Sequence, residues 1–216
     1  MPSSRELVAK YAREPAILEE CYAPSGASES WPTPIPEDTA ERIYAVIQKD
    51  RGAYAIQARE IAFAIFNEYN VAQRDRTGQL SSIYNWVISW RVNPLACNRH
   101  FVNDPHCIEL ISHLPQILWT MNEYGVIGDC DDHIILMTQL ILAAGIPSRL
   151  VLAGKTDYGF IHVYPKAELA SGGLDGDGQW ISMDPTPDHG GRQHRFGDWE
   201  FDWDAPFYRE WDFEIP

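Results

Sequence analysis

The chain has 216 residues, of which 45% are hydrophobic and 22% charged, so it can bury one substantial core. Its formal net charge is -14 at pH 7. A surface of that sign repels a phosphate backbone, which argues against nucleic acid as a partner. No apolar run approaches the ~18 residues that cross a bilayer, and the first residues lack the apolar segment of a signal peptide. We therefore expect a cytoplasmic protein with no membrane partner.

The first third of the sequence predicts helices joined by a proline-rich loop. Ser3 or Ser4 is suited to cap the first helix, and Pro15 is expected to break it. A stripe of apolar residues at helical spacing runs through the next region, which Gly52 is expected to interrupt. Within this N-terminal helical extension, residues 1–75, the predicted segments are helix at 3–22, loop at 23–37, and helices from 36 to 52 and from 53 to 69.

The middle of the chain changes from helical to strand-like patterns. The run that starts at Cys130 is apolar on most faces, as is typical of a central helix, and Gly145 and Pro147 are expected to end it. The short connections between the later strands favour an antiparallel meander. For this predicted core, residues 76–197, and the two residues before it, we expect a loop at 74–80 and helices at 81–92 (a strand is the alternative), 105–121 (with a bend or a new start at Pro115) and 130–144. We expect strands at 149–153, 160–164 and 179–183.

The last segment, residues 198–216, is an acidic tail rich in aromatic residues. Trp199, Phe201 and Trp203 alternate with carboxylates, which is strand periodicity with one aromatic face. Such a face can cover the chain's own core, or it can bind a protein assembly partner, because aromatic residues dominate interface energetics.

Cys130, His162 and Asp184 follow one another in the order that a cysteine-dependent acyl transfer requires: nucleophile, base and orienting carboxylate. A thiol at a helix N-terminus meets unsatisfied N–H groups and the positive end of the dipole, which favour the reactive thiolate. The same N–H groups can bind the oxyanion of a tetrahedral intermediate. His162 and Asp184 lie on predicted neighbouring strands, where side chains can meet.

Four stretches around these residues resemble the transglutaminase-like superfamily, whose members share a papain-like cysteine core. The stretches are Gly128-Asp-Cys130-Asp-Asp, the run from Leu140 to Arg149 that contains Gly-Ile-Pro, His162-Val-Tyr, and Trp180-Ile-Ser-Met-Asp184-Pro-Thr. Phe101-Val-Asn-Asp-Pro105 is similar to variants encoded by phages and prophages. The resemblance covers roughly residues 84–190 and leaves the N-terminal helices and the tail outside.

This resemblance implies an α+β fold in which a central helix bearing Cys130 packs on an antiparallel sheet, with the N-terminal helices added. It matches Cys130 to the nucleophile, His162 to the base and Asp184 to the orienting residue. The expected activity is hydrolysis or transamidation of a peptide or amide through a thioester, on a protein or peptide substrate, in a host cytoplasm or a phage virion. The alternative is a catalytically silent structural or assembly protein of a phage particle.

Other candidate residues are less specific. Trp90 and Asn103 lie upstream of Cys130, where such sites add a side-chain donor to the oxyanion hole, although a core Trp and a turn Asn are the better explanations of these two residues. The acidic residues and His133 around Cys130 could suggest a metal, but adjacent residues on one helical turn diverge, so we expect no metal and no cofactor. Cys21, Cys97 and Cys107 have no paired spacing and predict neither a disulfide nor a metal site.

Overall fold

The computed structural model describes residues 1–13, 21–22, 37–90, 109–125, 127, 130–155, 159–170, 179–185, 196 and 207–213. These residues form six helices and six strands. The helices are α1 (Ser4–Tyr11), α2 (Glu37–Ala53), α3 (Ala55–Glu68), α4 (Arg76–Ser89), α5 (Leu114–Tyr124) and α6 (Cys130–Ala143). The strands are β1 (Cys21–Tyr22), β2 (Glu109–Leu110), β3 (Ser148–Lys155), β4 (Gly159–Ala170), β5 (Gln179–Ser182) and β6 (Phe207–Phe213).

Two antiparallel sheets accompany the helices, so the fold is α+β as predicted. The larger sheet has the strand order β5-β4-β3-β6, and the smaller one pairs β1 with β2. Strands β3, β4 and β5 follow one another in the chain and pair with their neighbours, which confirms the predicted meander. β6 adds an antiparallel strand on the other side of β3, with Val151 opposite Glu210.

Helix α6 is the centre of the core. It contacts helices α2 to α5 on one side and strands β3 and β4 on the other. Ile134, Ile135, Leu140 and Ile141 are all 0% exposed, which confirms the prediction that this helix is buried and central. Gln139 donates a hydrogen bond of 2.7 Å to the carbonyl of Ile47, so α6 is also tied to α2 by a buried polar contact. Gly145, at a φ of 75°, follows the helix and takes the left-handed conformation that stops it.

Local capping explains where the outer helices begin. The Ser3 hydroxyl accepts from the amide of Glu6, and the Glu6 carboxylate accepts from the amide of Ser3, which forms a complete capping box for α1. This confirms one of the two predicted caps. Asp75 caps α4 by accepting from the amide of Gly78 at 2.9 Å. The predicted loop at 74–80 is therefore wrong from Arg76 onward, because a capping Asp converts that polar stretch into a first helical turn.

Two further predictions about the helices are corrected. Helix α1 ends at Tyr11, and Cys21–Tyr22 of the predicted 3–22 helix pairs as a strand with Glu109–Leu110. That pairing also corrects the predicted 105–121 helix at Glu109–Leu110, while residues 105–108 lie outside the described residues; α5 begins at Leu114, after the cap residue His113 and next to Pro115. A strand pair between segments so distant in sequence has no local signature. Gly52 lies inside α2, and the interruption comes at Tyr54.

Among the residues whose positions are described, no helix combines the length and the apolar character needed to cross a membrane. Trp199, Phe201 and Trp203, with their predicted aromatic face, lie outside the described residues. Strand β6 lies farther along the same tail, so part of that segment belongs to the sheet.

Candidate active site

His162 and Asp184 form a buried pair on one face of the larger sheet. Nε2 of His162 lies 2.5 Å from Oδ2 of Asp184, and the two residues are 8% and 3% exposed. Lys166 of β4 is opposite Ser182 of β5, and the register carries Asp184, two residues beyond Ser182, to the same face as His162. The structure therefore brings together two of the three residues of the predicted triad.

Neighbouring groups fix the orientation of this pair. The ring of Tyr164, two residues along β4, stacks on the His162 ring with centroids 5.6 Å apart and planes 19° from parallel. Tyr84 of α4 donates its hydroxyl to the main-chain carbonyl of Asp184 at 3.2 Å, and the amide of Met183 donates to the carbonyl of Pro165 at 2.9 Å. The imidazole and the carboxylate are thus held by contacts to their own strands and to a helix.

The geometry of the pair has a chemical consequence for the imidazole. An ionised carboxylate only accepts hydrogen bonds, so the contact with Asp184 requires the proton on Nε2 of His162. In a neutral ring, Nδ1 then carries the lone pair that can take up a proton. This is the role that an orienting carboxylate has in a nucleophile–base–acid triad.

Cys130 is the first residue of α6, so its main chain stands at the N-terminus of the central helix, as predicted. Its side chain, together with Gly128 and Asp129, lies outside the described residues. The described geometry therefore covers His162 and Asp184, and it covers the main-chain position of Cys130 but not its thiol. Val163, the next residue of β4, is 2% exposed and belongs to the main hydrophobic core.

Asp131, the residue after Cys130, places a buried carboxyl group in the first turn of α6. The residue is 1% exposed, and neither of its carboxylate oxygens has a hydrogen-bond partner among the described residues. A carboxylate close to a thiol disfavours its negatively charged form, whereas the helix dipole favours that form. The two effects oppose each other at the start of α6, so a base near the thiol is needed for the reactive form to dominate.

Of the two candidate side-chain donors to the oxyanion hole, the structure describes one. Trp90 caps the C-terminus of α4 and is 6% exposed, with the guanidinium of Arg5 4.5 Å from its ring centroid and Trp86 at 5.8 Å. Its indole Nε1 has no hydrogen-bond partner among the described residues. The structure therefore places the Trp90 ring against the first helix of the chain. Asn103 lies outside the described residues.

A second buried pair of His and Asp was not predicted from the sequence. Nδ1 of His113 lies 2.6 Å from Oδ1 of Asp50, which is 0% exposed, and the other oxygen of Asp50 accepts from the amide of Leu114 at 2.7 Å. Lys49 Nζ is 3.4 Å from Nε2 of the same imidazole. This pair joins α2 to the N-terminus of α5. The only local signal is the cap at His113, since Asp50 is distant in sequence.

Within the described part of the chain, no group of three or more His, Cys, Asp or Glu side chains is arranged to hold a metal ion. Comparison of the chain with protein-family models, with curated proteins and with solved structures gave no match.

Proposed function

We propose that this protein is a cysteine-dependent acyl-transfer enzyme with a papain-like, transglutaminase-like core, in which Cys130 is the nucleophile, His162 the base and Asp184 the residue that orients the base. The observation that carries the proposal is the buried contact of 2.5 Å between His162 and Asp184, on a sheet that packs against the helix beginning at Cys130. Nucleophilic catalysis by a thiol uses a His–carboxylate pair of this kind, and the proposal requires the imidazole to reach the cysteine at the N-terminus of α6.

In the proposed reaction, His162 takes the thiol proton and the sulfur of Cys130 attacks the carbonyl carbon of a peptide or carboxamide. The oxyanion is bound by N–H groups at the start of α6. The imidazolium then gives its proton to the leaving nitrogen, the C–N bond breaks, and a thioester remains on Cys130. Attack by water gives a carboxylate and the free enzyme, while attack by a second amine gives a new amide.

The resemblance is what implies a protein or peptide substrate, and the charge of the chain is compatible with it. The nucleophile and the base come from secondary-structure elements in one core, and such sites are positioned by rigid scaffolds. The net charge of -14 does not suit a polyanionic substrate.

The test is alkylation by iodoacetamide as a function of pH, resolved residue by residue by mass spectrometry. Cys21, Cys97 and Cys107 serve as internal references in the same sample. Cys130 should be alkylated well below the pH at which ordinary thiols, of pKa about 8.5, become reactive. His162→Gln should abolish that difference, and Asp75→Asn, on an exposed cap, should leave it unchanged.

If Cys130 reacts like the reference cysteines in the folded protein, the enzyme proposal fails. The alternative proposal is then a structural or assembly protein of a phage particle that keeps the fold without the chemistry. The acidic aromatic stretch that precedes β6 in the tail is the candidate partner-binding segment for that function, because aromatic residues dominate interface energetics. The triple variant Trp199→Ser/Phe201→Ser/Trp203→Ser, which keeps the residues of β6, would then abolish association without affecting Cys130.

A further inference from the structure

Four of the five large hydrophobic side chains that are exposed among the described residues lie on α3 or beside its C-terminal end. Ile56 is 71% exposed and Phe63 is 41% exposed, and Tyr69 directly follows the helix at 42%. Met1 is fully exposed and its sulfur accepts from Asn67 at 3.2 Å. Exposed apolar surface that concentrates on one helix, unlike single scattered residues, is a mark of an interaction surface.

One face of α3 carries this surface. Ile56, Arg59, Glu60 and Phe63 are all exposed and follow the i, i+3, i+4, i+7 spacing, so they share one side of the helix. The Arg59 guanidinium lies 5.9 Å from the centroid of the Phe63 ring, which keeps both on that side. We call these four residues the outer face of α3. The opposite side of the helix is buried and includes Ala58, Ile61, Ala62 and Ile65.

Along the helix, the outer face reads apolar, positive, negative, apolar. The same face in the reverse direction presents opposite charges, so the face is complementary to itself. When two copies of α3 cross in antiparallel fashion about a point between residues 59 and 60, Ile56 of one copy lies opposite Phe63 of the other. In the same register, Arg59 lies opposite Glu60, and the two-fold axis makes each contact twice. We propose that the outer face of α3 is the interface of a homodimer with this antiparallel register.

The charges select a second copy as the occupant. A surface that is complementary to itself about a two-fold axis is what an isologous interface requires, and a different partner would not need it. The carboxylate of Glu60 is already held at this face by the hydroxyl of Tyr11 and by Lys10 at 3.2 Å. The Glu60 side chain therefore loses little further conformational entropy when Arg59 of the second copy binds it.

The dimer should be weak and concentration-dependent. One helix face buries less than the ~800 Å² per partner of a standard interface. The net charge of -14 on each copy also opposes association at low ionic strength. Moderate salt should relieve that general repulsion, and the apolar contacts should persist because they do not depend on charge.

Sedimentation velocity of the full chain over a range of concentrations tests the proposal. The wild type should show a reversible monomer–dimer equilibrium, and Arg59→Glu, which places two like charges opposite each other, should raise Kd about tenfold or more. The double variant Arg59→Glu/Glu60→Arg restores opposite charges in the same register, so it should return to within about threefold of the wild type. Ile56→Ser should abolish the dimer, and Tyr124→Ser, at the fifth exposed site, should leave it intact.

A wild type that remains monomeric at every concentration would overturn the proposal. A dimer that Ile56→Ser leaves intact would assign the association to another surface. Because Glu60→Arg also breaks the contacts of Glu60 with Tyr11 and Lys10, the single variant Glu60→Arg is the second reference. A double variant that associates no better than either single variant, while circular dichroism shows a native fold, would exclude the antiparallel register. None of these outcomes depends on the reactivity of Cys130.

Discussion

Tyr84 and Asp184 connect the helical layer to the sheet: the Tyr84 hydroxyl donates to the main-chain carbonyl of Asp184 at 3.2 Å, inside the core. Helix α4 therefore fixes the end of β5, where the carboxylate that contacts His162 is held. Tyr84→Phe removes only the hydroxyl and leaves a buried carbonyl with one donor fewer. We expect a loss of about 1–3 kcal/mol in the free energy of unfolding, measured by urea titration. Tyr44→Phe, which affects a half-buried contact with Gln48, should cost less.

The contact between His162 and Asp184 is predicted to control the reactivity of Cys130. Asp184→Asn keeps the shape of the side chain, but its amide can present a donor to Nε2, which favours the wrong tautomer of the imidazole. The rate of Cys130 alkylation at neutral pH should fall by about tenfold or more, since general-base catalysis contributes factors of 10² or above. A rate that is unchanged while the variant remains folded would show that this carboxylate does not orient a base.

The buried carboxylate of Asp50 is predicted to be a strong determinant of stability. Asp50→Ala removes two hydrogen bonds to a charged group and leaves the His113 imidazole and the Leu114 amide without that acceptor. The expected cost is about 3–5 kcal/mol in the free energy of unfolding. Asp75→Ala is the matched control, because it removes one exposed cap and should cost about 1 kcal/mol. Equal losses from the two variants would contradict the importance given to the Asp50 contacts.

Leu140 tests the central position of α6. Its side chain is 0% exposed, and Leu140→Ala should destabilise the fold by about 2–5 kcal/mol, because the deletion removes buried apolar surface and leaves a cavity. Ile56→Ala, at a site that is 71% exposed, should change stability by less than about 0.5 kcal/mol in dilute solution. Guanidinium titrations with the same slope for all three proteins would make the comparison valid.

Glu60 should titrate below the usual range of a glutamate. The hydroxyl of Tyr11, and then Lys10, donate to its carboxylate and lower its pKa. The stability that these bonds contribute is present above the ordinary pKa of glutamate and is lost as the pH falls through the lower value of the folded state. Tyr11→Phe should raise the pKa of Glu60 toward its ordinary range in an NMR titration. The pKa of Glu6, which is lowered by Ser3, should not change in that variant.

The parts of the fold that local sequence determines were predictable. Helix α6 has an apolar run that no exposed helix would tolerate, and the chain from Ser148 to Ser182 has short turns between apolar strands. Contacts between distant segments were not predictable, because they depend on which surfaces meet in three dimensions. The pairing of Cys21 with Leu110 and the approach of Asp50 to His113 are of this kind.

The candidate site, too, has features that the sequence predicts and features that depend on the three-dimensional fold. The resemblance matched His162 and Asp184 to one site, and strand alternation explains why their side chains share a face. The burial of Asp131 could not be foreseen, since a carboxylate in the first turn of a helix is ordinarily solvated and favourable to the dipole. The described strand of the tail, β6, runs from Phe207 to Phe213, and the alternation of aromatic and acidic residues before it gives a strand period but not a register with β3.

The strand order β5-β4-β3-β6 has a consequence for biosynthesis. The three strands of the meander leave the ribosome before Phe207–Phe213 does, so β3 is at first an edge strand of an incomplete sheet. Until the last strand pairs with it, the backbone of β3 can accept a strand from another nascent chain. Polysomes that bring several growing copies close together should therefore favour mispairing at β3, and a chaperone that covers this edge should improve the yield of folded protein.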